Sequence, residues 1–439
     1  MISRCIFIFA HALIKPRAIW TYYVLCANEK KSKKALLHRQ KKALAEYLKF
    51  CRDGIPYYSK IIPSFNVDSN YGELQLIMDS IPILKKEDII KNRELIELPY
   101  NKIGSFKRGQ TGGSTGEPLK YRISRKCDDS AFAILYRGLG RGGYKLGDRM
   151  AIMAGGSLVT KRKSFKTKLI SFVMNTRKYS SYGISDSLFQ EYYDDIVRWK
   201  PKYIRGYPSS IFEFAKFVSR NDYELKFDSV FTTAEMLFDH QREYIELVFD
   251  AKVFNCYGLN DGGVTAFECE HGAGLHIDFE RGYLEVVDVD GKQVFGEVGK
   301  IVATSILNKA TPFVRYDTGD LGVISDEPCA CGSPYPLLNK LVGRTTDILN
   351  INGRVVGSPV LTVLMASVDV VRYQFIQESK NRVVIVIEKG SLPSPADEDF
   401  IRRSLFSNIG EFELIFIYDE GAFEVADGGK HKVVVNKLC

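Results

Sequence analysis

The sequence lacks the features that identify membrane-spanning, secreted and disulfide-stabilised proteins. Its apolar stretches Ile6 to Ile14 and Ile19 to Ala27 are each shorter than the ~20 residues that cross a bilayer, and Lys15-Pro16-Arg17 separates them. No small-residue cleavage site follows them, which argues against a secretory signal. The nine cysteines have no regular pairing pattern, which favours a reducing compartment over a disulfide scaffold. We therefore expect a cytoplasmic protein.

Internal repeats and low-complexity tracts are also absent, and the composition excludes a disordered chain. With 45% hydrophobic and 26% charged residues, the sequence is typical of a globular protein. At 439 residues it is too long for one simple core, so two or more domains are expected.

Positive charge is concentrated at the start of the chain. Residues 1–60 contain 13 Lys or Arg against three acids, a net charge of +10, while the whole chain carries +8. This basic, partly apolar segment predicts either a peripheral contact with anionic lipid head groups or a pair of solvated helices packed on the main domain. The run Lys161 to Lys168 predicts a solvated loop or, alternatively, a contact for a polyanionic partner. No nucleic-acid partner is expected.

The pattern of apolar residues predicts an α/β protein. Lys34 to Phe50 has helical spacing of leucines and should end at Gly54-Ile55-Pro56. From about residue 100 to 340, short β-branched runs alternate with helical stretches, which indicates mainly parallel strands. The expected strands are Met150 to Met153, Tyr203 to Arg205, Ser229 to Thr233 and Lys252 to Cys256, and the expected helices are Ser187 to Arg198, Ser210 to Arg220 and Asp239 to Phe249.

The later part of the chain predicts antiparallel strands and a small second domain. Ile301 to Thr304 reads as a strand, and Tyr283 to Val289 with Asp290-Gly291 reads as a hairpin arm, both in a second, antiparallel sheet. The last ~95 residues have an α+β rhythm. We expect a basic helical segment at 1–60, a large domain of mixed parallel and antiparallel sheets with helices at 61–343, and a small α+β lid at 344–439.

Residues 110–118 form a glycine- and hydroxyl-rich segment, Gln110-Thr111-Gly112-Gly113-Ser114-Thr115-Gly116-Glu117-Pro118. Such a loop can wrap phosphates with backbone N–H and side-chain O–H donors. It lacks the Gly-Lys-Ser/Thr ending of a Walker loop. On its own the segment is equally consistent with a turn that binds nothing.

Four further motifs follow in order along the chain. They are Tyr257-Gly258-Leu259-Asn260-Asp261, Tyr316-Asp317-Thr318-Gly319-Asp320 at the end of a strand expected from Phe313, Gly343-Arg344-Thr345-Thr346-Asp347, and Gly428-Gly429-Lys430. With the glycine-rich segment, their order and approximate spacing resemble the adenylate-forming superfamily of acyl-CoA synthetases, luciferases and peptide-synthetase adenylation domains.

The chain most resembles the phenylacetate–CoA ligase-like branch, especially members linked to capsular polysaccharide synthesis. The features of that branch are Gln40, Ile55-Pro56-Tyr57-Tyr58, Gly206-Tyr207-Pro208-Ser209 and Cys329-Ala330-Cys331-Gly332. The resemblance runs from about residue 35 to the C-terminus and is specific for the family, but it is a poor guide to the substrate.

The resemblance implies a role for each matched residue in ATP-dependent activation of a carboxylic acid. A carboxylate attacking an α-phosphate is an anion approaching an anion, so positioning and charge neutralisation by Lys430 and Mg²⁺ carry the catalysis. Asp347 would be the hinge between two orientations of the lid. The residues implied to bind nucleotide are Thr111, Gly113, Ser114, Thr115 and Gly116 at the phosphates, Tyr257 and Gly258 at the adenine, and Asp320 with Arg344 at the ribose.

Two positions depart from the family pattern. Asp261 stands where the superfamily usually has a metal-binding Glu, and Glu235 is a second carboxylate that could share Mg²⁺ binding. Glu117 stands where many members have Lys, so Lys120 is a candidate to supply the cation instead.

A second constellation contains thiol and imidazole groups suited to a closed tetrahedral Zn²⁺ site. Its members are Cys269, His271, His276, Cys329 and Cys331. The capsule-linked resemblance favours Cys269, His276, Cys329 and Cys331 as four structural ligands. The alternative is ordinary reduced cysteines with two surface histidines.

The expected function is acyl-adenylate formation followed by transfer to an acceptor in a polysaccharide pathway. The acceptor could be an amino sugar or another amine or hydroxyl, a carrier thiol, or coenzyme A as in an aryl- or acyl-CoA ligase. A rival from another class is a catalytically weak scaffold at the membrane. The acid is not named by the sequence, although Tyr207, Pro208, Ala234 and Gly258 are expected to line its pocket.

Overall fold

The computed structural model describes residues 2–67, 71–99, 102, 104–110, 119–154, 173–181, 185–259, 262–344, 348–351, 354–357, 361, 364–365, 368, 370, 372–388, 394–424 and 432–438. The basic run Lys161 to Lys168 and the hinge residue Asp347 lie outside these ranges. Among the helices of the described residues, none combines the length and the apolar character needed to cross a membrane.

The helices follow the apolar periodicity of the sequence. The helix predicted for Lys34 to Phe50 is confirmed: it starts after Ser32, whose hydroxyl accepts a hydrogen bond from the Ala35 N–H, and it buries one leucine-lined face. The helices are α1 (Ile2–Ile14), α2 (Pro16–Asn28), α3 (Lys33–Gly54), α4 (Tyr71–Ser80), α5 (Lys86–Lys91), α6 (Arg93–Ile96), α7 (Arg125–Gly140), α8 (Asp186–Trp199), α9 (Pro208–Arg220), α10 (Asp239–Phe249) and α11 (Pro395–Ile409).

One large mixed sheet organises most of the chain. Its strands are β3 (Met150–Ala154), β4 (Thr176–Ser180), β5 (Tyr203–Gly206), β6 (Ser229–Thr233), β7 (Lys252–Leu259), β8 (Val264–Glu268), β9 (Leu275–Ile277), β10 (Tyr283–Val287), β11 (Gly299–Thr304), β12 (Tyr316–Ser325) and β13 (Leu337–Arg344). The spatial order is β10-β11-β12-β13-β9-β8-β7-β6-β5-β3-β4. Strands β4, β3, β5, β6 and β7 pair in parallel, and helices α8, α9 and α10 connect β4 to β7 through β5 and β6, as the alternating pattern predicted.

The antiparallel strands do not form the separate second sheet that the sequence suggested. Strand β8 folds back on β7, with Gly258 opposite Thr265, so the antiparallel strands extend the parallel sheet. An apolar pattern specifies that a segment is a strand but not which neighbour it pairs with, which is why the sequence left this point open to error.

The Tyr316-to-Asp320 motif begins a strand and does not end one, which corrects the expectation of a strand from Phe313. Arg315 has a left-handed backbone with φ of 49°, and this conformation interrupts the extended chain immediately before Tyr316. The motif therefore forms the first half of β12, which continues to Ser325.

The remaining strands of the described residues form three small sheets. A hairpin joins β1 (Phe106–Gln110) to β2 (Lys120–Ser124), and another joins β14 (Ile348–Ile351) to β15 (Arg354–Gly357). Strands β16 (Tyr373–Ser379), β17 (Arg382–Ile387), β18 (Glu413–Ile417) and β19 (Val434–Asn436) form a sheet in the order β18-β17-β16-β19. Ile401 and Leu405 of α11 pack in one core with Val383 and Ile385 of β17, so the expected α/β fold with a small α+β unit is confirmed.

The segment around α3 is built into the core of the large domain. The Tyr47 and Tyr58 hydroxyls donate to the carbonyls of Asn308 and Pro312, both at 2.8 Å, and the Gln40 amide donates to Gly282 O at 3.0 Å. Two residues characteristic of the branch, Gln40 and Tyr58, thus anchor this segment to the polypeptide that precedes β10 and β12.

Candidate active site

The carboxyl edge of the parallel strands forms the first part of the candidate site. Strand β5 leads through Tyr207 into α9, which has Pro208 as its first residue. The N–H and hydroxyl of Ser209 donate to Oε2 of Glu235 at 3.2 and 2.7 Å, next to Ala234 at the end of β6. A helix N-terminus favours negative charge, so α9 holds this carboxylate in place. One carboxylate oxygen of Glu235 therefore already accepts two hydrogen bonds from Ser209. That Glu235 shares Mg²⁺ binding stays a prediction.

Two of the predicted nucleotide-binding residues contact each other directly. The Tyr257 hydroxyl of β7 donates to Oδ2 of Asp320 in β12 at 2.9 Å. Asp320 is buried, its N–H donates to the Thr318 hydroxyl at 3.1 Å, and its Cα pairs with that of Arg344 across the β12–β13 ladder. The structure therefore gathers a phenol ring, a carboxylate and the Arg344 backbone at one place.

This contact requires the large sheet to curl. Strands β8, β9 and β13 lie between β7 and β12 in the sheet, so a flat arrangement would separate the two strands by about 19 Å, four spacings of ~4.8 Å. A single tyrosine hydroxyl bridges them instead. The antiparallel half of the sheet consequently bends back towards the parallel half and forms a concave surface around Tyr257 and Asp320.

Two glycines allow the β7–β8 turn to lie close to β11. A Cβ on Gly262 would lie 2.8 Å from Ala303 Cβ, and one on Gly263, which has φ of 65°, would lie 2.3 Å from the Ser305 hydroxyl. A side chain at either position would force the β7–β8 turn away from β11. The two glycines directly follow the predicted metal ligand Asp261 in the sequence.

The β1–β2 hairpin carries the glycine-rich segment. Gln110 and Lys120 pair across the hairpin, so residues 111–119 connect its two strands. Arg122 N–H donates to the Thr311 hydroxyl at 2.9 Å, which ties the hairpin to the segment that enters β12. Lys120, the candidate phosphate cation, is exposed at the base of this connection.

Several predicted site residues lie outside the described residues. They are Thr111, Gly113, Ser114, Thr115 and Gly116 of the glycine-rich segment, Asp261 after β7, and Lys430. The roles given to them by resemblance therefore stay predictions, as do the roles of Gly258 and Arg344.

The structure brings together four of the five predicted thiol and imidazole groups. Ligand atoms of Cys269, His276, Cys329 and Cys331 all lie within 4.8 Å of one another. Cys269 Sγ is 3.7 Å from Cys329 Sγ, and Cys331 Sγ is 3.3 Å from His276 Nε2. His271 is not part of the group; its half-exposed ring lies 3.8 Å from Glu270.

These distances fit a tetrahedral zinc ion better than a disulfide. Two thiolates at Zn–S distances of ~2.3 Å in a tetrahedron are about 3.8 Å apart, whereas a disulfide bond is about 2.05 Å long. The Nδ1–H of His276 donates to Tyr335 O at 3.2 Å, which leaves Nε2 facing the sulfurs. Burial lowers the pKa of His276 to about 4, so the imidazole is neutral near pH 7.

A buried charge network, which sequence reasoning missed, lies beside this cluster. Arg137 of α7 is buried, pairs with Asp278, and donates to Oε2 of Glu280 at 3.2 Å and to the Tyr335 hydroxyl at 2.6 Å. Glu280 also accepts from the amide of Asn28 in α2 at 2.9 Å. The network thus joins the cysteine–histidine cluster to α7 and to the N-terminal helices. Its members are scattered over the chain, so no local motif could have identified them.

Comparisons with known proteins place this geometry among ligases. No family model matches the chain. It is 25% identical over 426 residues to "Protein CapK" of Staphylococcus aureus, covering 92% of this chain and 90% of that one. It is 26% identical over 377 residues to a phenylacetate-coenzyme A ligase of Thermus thermophilus, covering 83% and 82%.

Solved structures show the same fold. A 2-hydroxyisobutyryl-CoA ligase in its postadenylation state, in complex with R3-HIB-AMP, superposes with a TM-score of 0.68 at 17% identity, over 92% of this chain and 89% of that one. The chain is therefore similar to ligases of the adenylate-forming superfamily, in particular to its phenylacetate–CoA ligase-like branch, and this similarity supports a ligase that forms acyl adenylates.

Proposed function

We propose that the protein uses ATP and Mg²⁺ to activate a carboxylic acid and then transfers the acyl group to an amine or hydroxyl acceptor in polysaccharide synthesis. The observation that carries the proposal is the Tyr257–Asp320 contact on the concave side of the curled sheet. It sets an aromatic ring beside the carboxylate that the resemblance assigns to the ribose, and the hairpin that carries the glycine-rich segment is tied to the chain entering β12.

The proposed first step joins two anions. A carboxylate oxygen of the acid bonds to the α-phosphorus of ATP, and pyrophosphate leaves with the electrons of the broken P–O bond. Lys430 would bridge the carboxylate and the α-phosphate, and Mg²⁺, held by Asp261, would supply further positive charge. No protein nucleophile is needed. In the second step the acceptor attacks the acyl carbon and AMP leaves.

The acceptor separates the proposal from its nearest alternative. Similarity to Protein CapK over nine tenths of both chains, with the resemblance to capsule-linked members, supports an amino-sugar or hydroxyl acceptor. The phenylacetate-coenzyme A ligase relatives support the alternative, transfer to the thiol of coenzyme A.

A product assay decides between these acceptors. An acid that gives pyrophosphate release is incubated with ATP, Mg²⁺ and either coenzyme A or an amino sugar, with hydroxylamine as a surrogate that reports acyl-AMP in every case. We expect an acylated amino sugar by mass spectrometry. An acyl-CoA thioester with the sugar unmodified would establish the CoA ligase instead.

Replacing Asp320 with Asn tests the ribose contact. The amide keeps the size of the side chain but removes its charge. Because a hydrogen bond to a charged group contributes about 1.5–3 kcal/mol, the KM for ATP should rise about 10–100-fold. Tyr257→Phe is the matched control: it removes the hydroxyl that contacts Asp320 but keeps the ring, and we expect a much smaller change. An unaltered KM for ATP in Asp320→Asn would argue against this nucleotide site.

We also propose that Cys269, His276, Cys329 and Cys331 hold a structural Zn²⁺. Four protein ligands leave no open position for catalysis. Metal analysis of the purified protein should find about one zinc per chain, lost in Cys329→Ser together with a lower unfolding temperature. Cys5→Ser, at an exposed thiol on α1, is the control and should keep both. Protein that holds no zinc even after reconstitution would contradict the proposal.

A further inference from the structure

The outward side of the first two helices is an exposed apolar surface. Phe9, Leu13 and Ile14 of α1 are 66–68% exposed, and Trp20 and Tyr23 of α2 are 69% and 55% exposed. We call these five side chains the α1–α2 apolar surface. Exposed single hydrophobic residues are ordinary, but five large ones on two successive helices that contact each other indicate an interaction site.

The opposite side of these helices is firmly attached to the enzyme. Phe7 is fully buried and makes an edge contact with Tyr136 of α7 at a centroid distance of 5.9 Å, and Arg4 pairs with Asp148 at 3.4 Å. At the end of α2, Arg141 donates to Glu29 at 2.9 Å. Helices α1 and α2 therefore pack on the rest of the protein with one face and expose the other to solvent.

The charge around the apolar surface indicates what covers it. Residues 1–28 contain no Asp or Glu. Arg17 in the first turn of α2 is exposed and basic, and so are Lys30, Lys31, Lys33 and Lys34, which follow this helix. A second copy of the chain seated on this surface would bring two strongly basic segments together. A membrane rich in anionic lipid offers complementary charge to the bases and an acyl boundary to the aliphatic and aromatic side chains.

We propose that the α1–α2 apolar surface docks the protein peripherally on anionic membranes. The sequence predicted a lipid contact within residues 1–60. The proposal limits this contact to α1, α2 and the lysines after them, because α3 is built into the core of the large domain. This inference does not depend on the identity of the acid or the acceptor.

The docking surface lies away from the catalytic edge. Arg4 and Phe7 pack against the 146–148 turn that precedes β3, where Arg4 Nε donates to Leu146 O at 3.4 Å and a Cβ on Gly147 would lie 3.0 Å from Phe7. This turn belongs to the amino edge of the parallel strands, whereas Glu235 follows the carboxyl end of β6 and Tyr257 lies in the carboxyl-terminal part of β7. A membrane-docked enzyme would thus keep its nucleotide site open to solvent.

Vesicle flotation of the full chain tests the proposal. Wild type is compared with the double variant Phe9→Glu/Trp20→Glu on phosphatidylcholine vesicles with and without 30% phosphatidylglycerol, at low and high salt. Leu247→Glu is the matched control, because Leu247 is 79% exposed on α10, away from this surface. Wild type and the control should bind anionic vesicles, more weakly at high salt, and the double variant should bind at least about tenfold less.

Two results would overturn the proposal. One is wild-type protein that does not float with anionic vesicles, or floats equally well after the double substitution. The other is a wild-type dimer by sedimentation that the double substitution converts to a monomer, since a second copy would then cover the surface. An unchanged unfolding temperature and ATP-dependent activity of the double variant show that its loss of binding is not a loss of fold.

Discussion

Lys430→Ala should lower acid-dependent pyrophosphate release by about 10²–10³-fold, the usual effect of removing one preorganised group that stabilises transition-state charge. The reacting carboxylate and α-phosphate are both negative, and the resemblance assigns Lys430 to bridge them. Because the charge is needed where the new bond forms, the loss should fall mainly on kcat. Steady-state pyrophosphate release with the preferred acid measures it.

The neighbouring lysine Lys432 provides the control for this experiment. It lies two residues further along the same segment, and Lys432→Ala should retain most of the wild-type rate. ATP binding by both variants should remain, since the proposed nucleotide contacts are at Tyr257 and Asp320. Equal rates for Lys430→Ala and wild type would show that the charge comes from another group.

Arg137→Met should destabilise the protein strongly. The methionine replaces most of the buried stem but leaves Asp278 and Glu280 without their cation, and breaking a buried ion pair in this way costs about 3–5 kcal/mol. Thermal unfolding followed by circular dichroism should show a fall of several degrees. Lys49→Met, which breaks the exposed pair with Asp53, is the control and should produce no measurable fall.

The loss in Arg137→Met should also grow with pH. Burial raises the pKa of Asp278, and the charge of Arg137 only partly opposes this rise. At Glu280 burial also raises the pKa, but Arg137 and Tyr335 more than offset it and hold the pKa below its usual value. Without Arg137 both folded-state pKa values move upward. An acid whose folded pKa is raised loses stability as pH rises, so the difference from wild type should be larger at pH 8 than at pH 5.5. An equal difference at both pH values would mean that the lost stability comes from packing alone.

Much of the fold could be predicted because its signals are local. Periodic leucines gave α3, and short β-branched runs gave β3, β5, β6 and β7 close to their observed limits. Pairing between distant strands has no such signal, which is why the continuity of the large sheet was missed. The position of the Tyr316 motif at the start of β12 was also missed because it depends on contacts between distant residues. It follows from the left-handed backbone of Arg315, a buried arginine whose conformation is set by tertiary contacts.

The candidate site divides in the same way. Tyr257 and Asp320 could be identified because each belongs to a short motif, but only the curl of the sheet explains their contact. Residue type and spacing named five possible metal ligands, and distances select four of them without His271. The Arg137 network could not be predicted, and a lipid contact could be predicted only for residues 1–60 as a whole, since the exposed side chains depend on which face of each helix is covered.

The most direct test of the central claim is acid-dependent exchange of labelled pyrophosphate into ATP, because only a reversible acyl-adenylate step produces it. The enzyme is incubated with ATP, Mg²⁺, labelled pyrophosphate and a panel of aromatic, aliphatic and amino acids. We predict that at least one acid stimulates exchange in wild type and that Lys430→Ala abolishes the stimulation. Folded protein that does not bind ATP, and shows no exchange with any acid, would contradict the account.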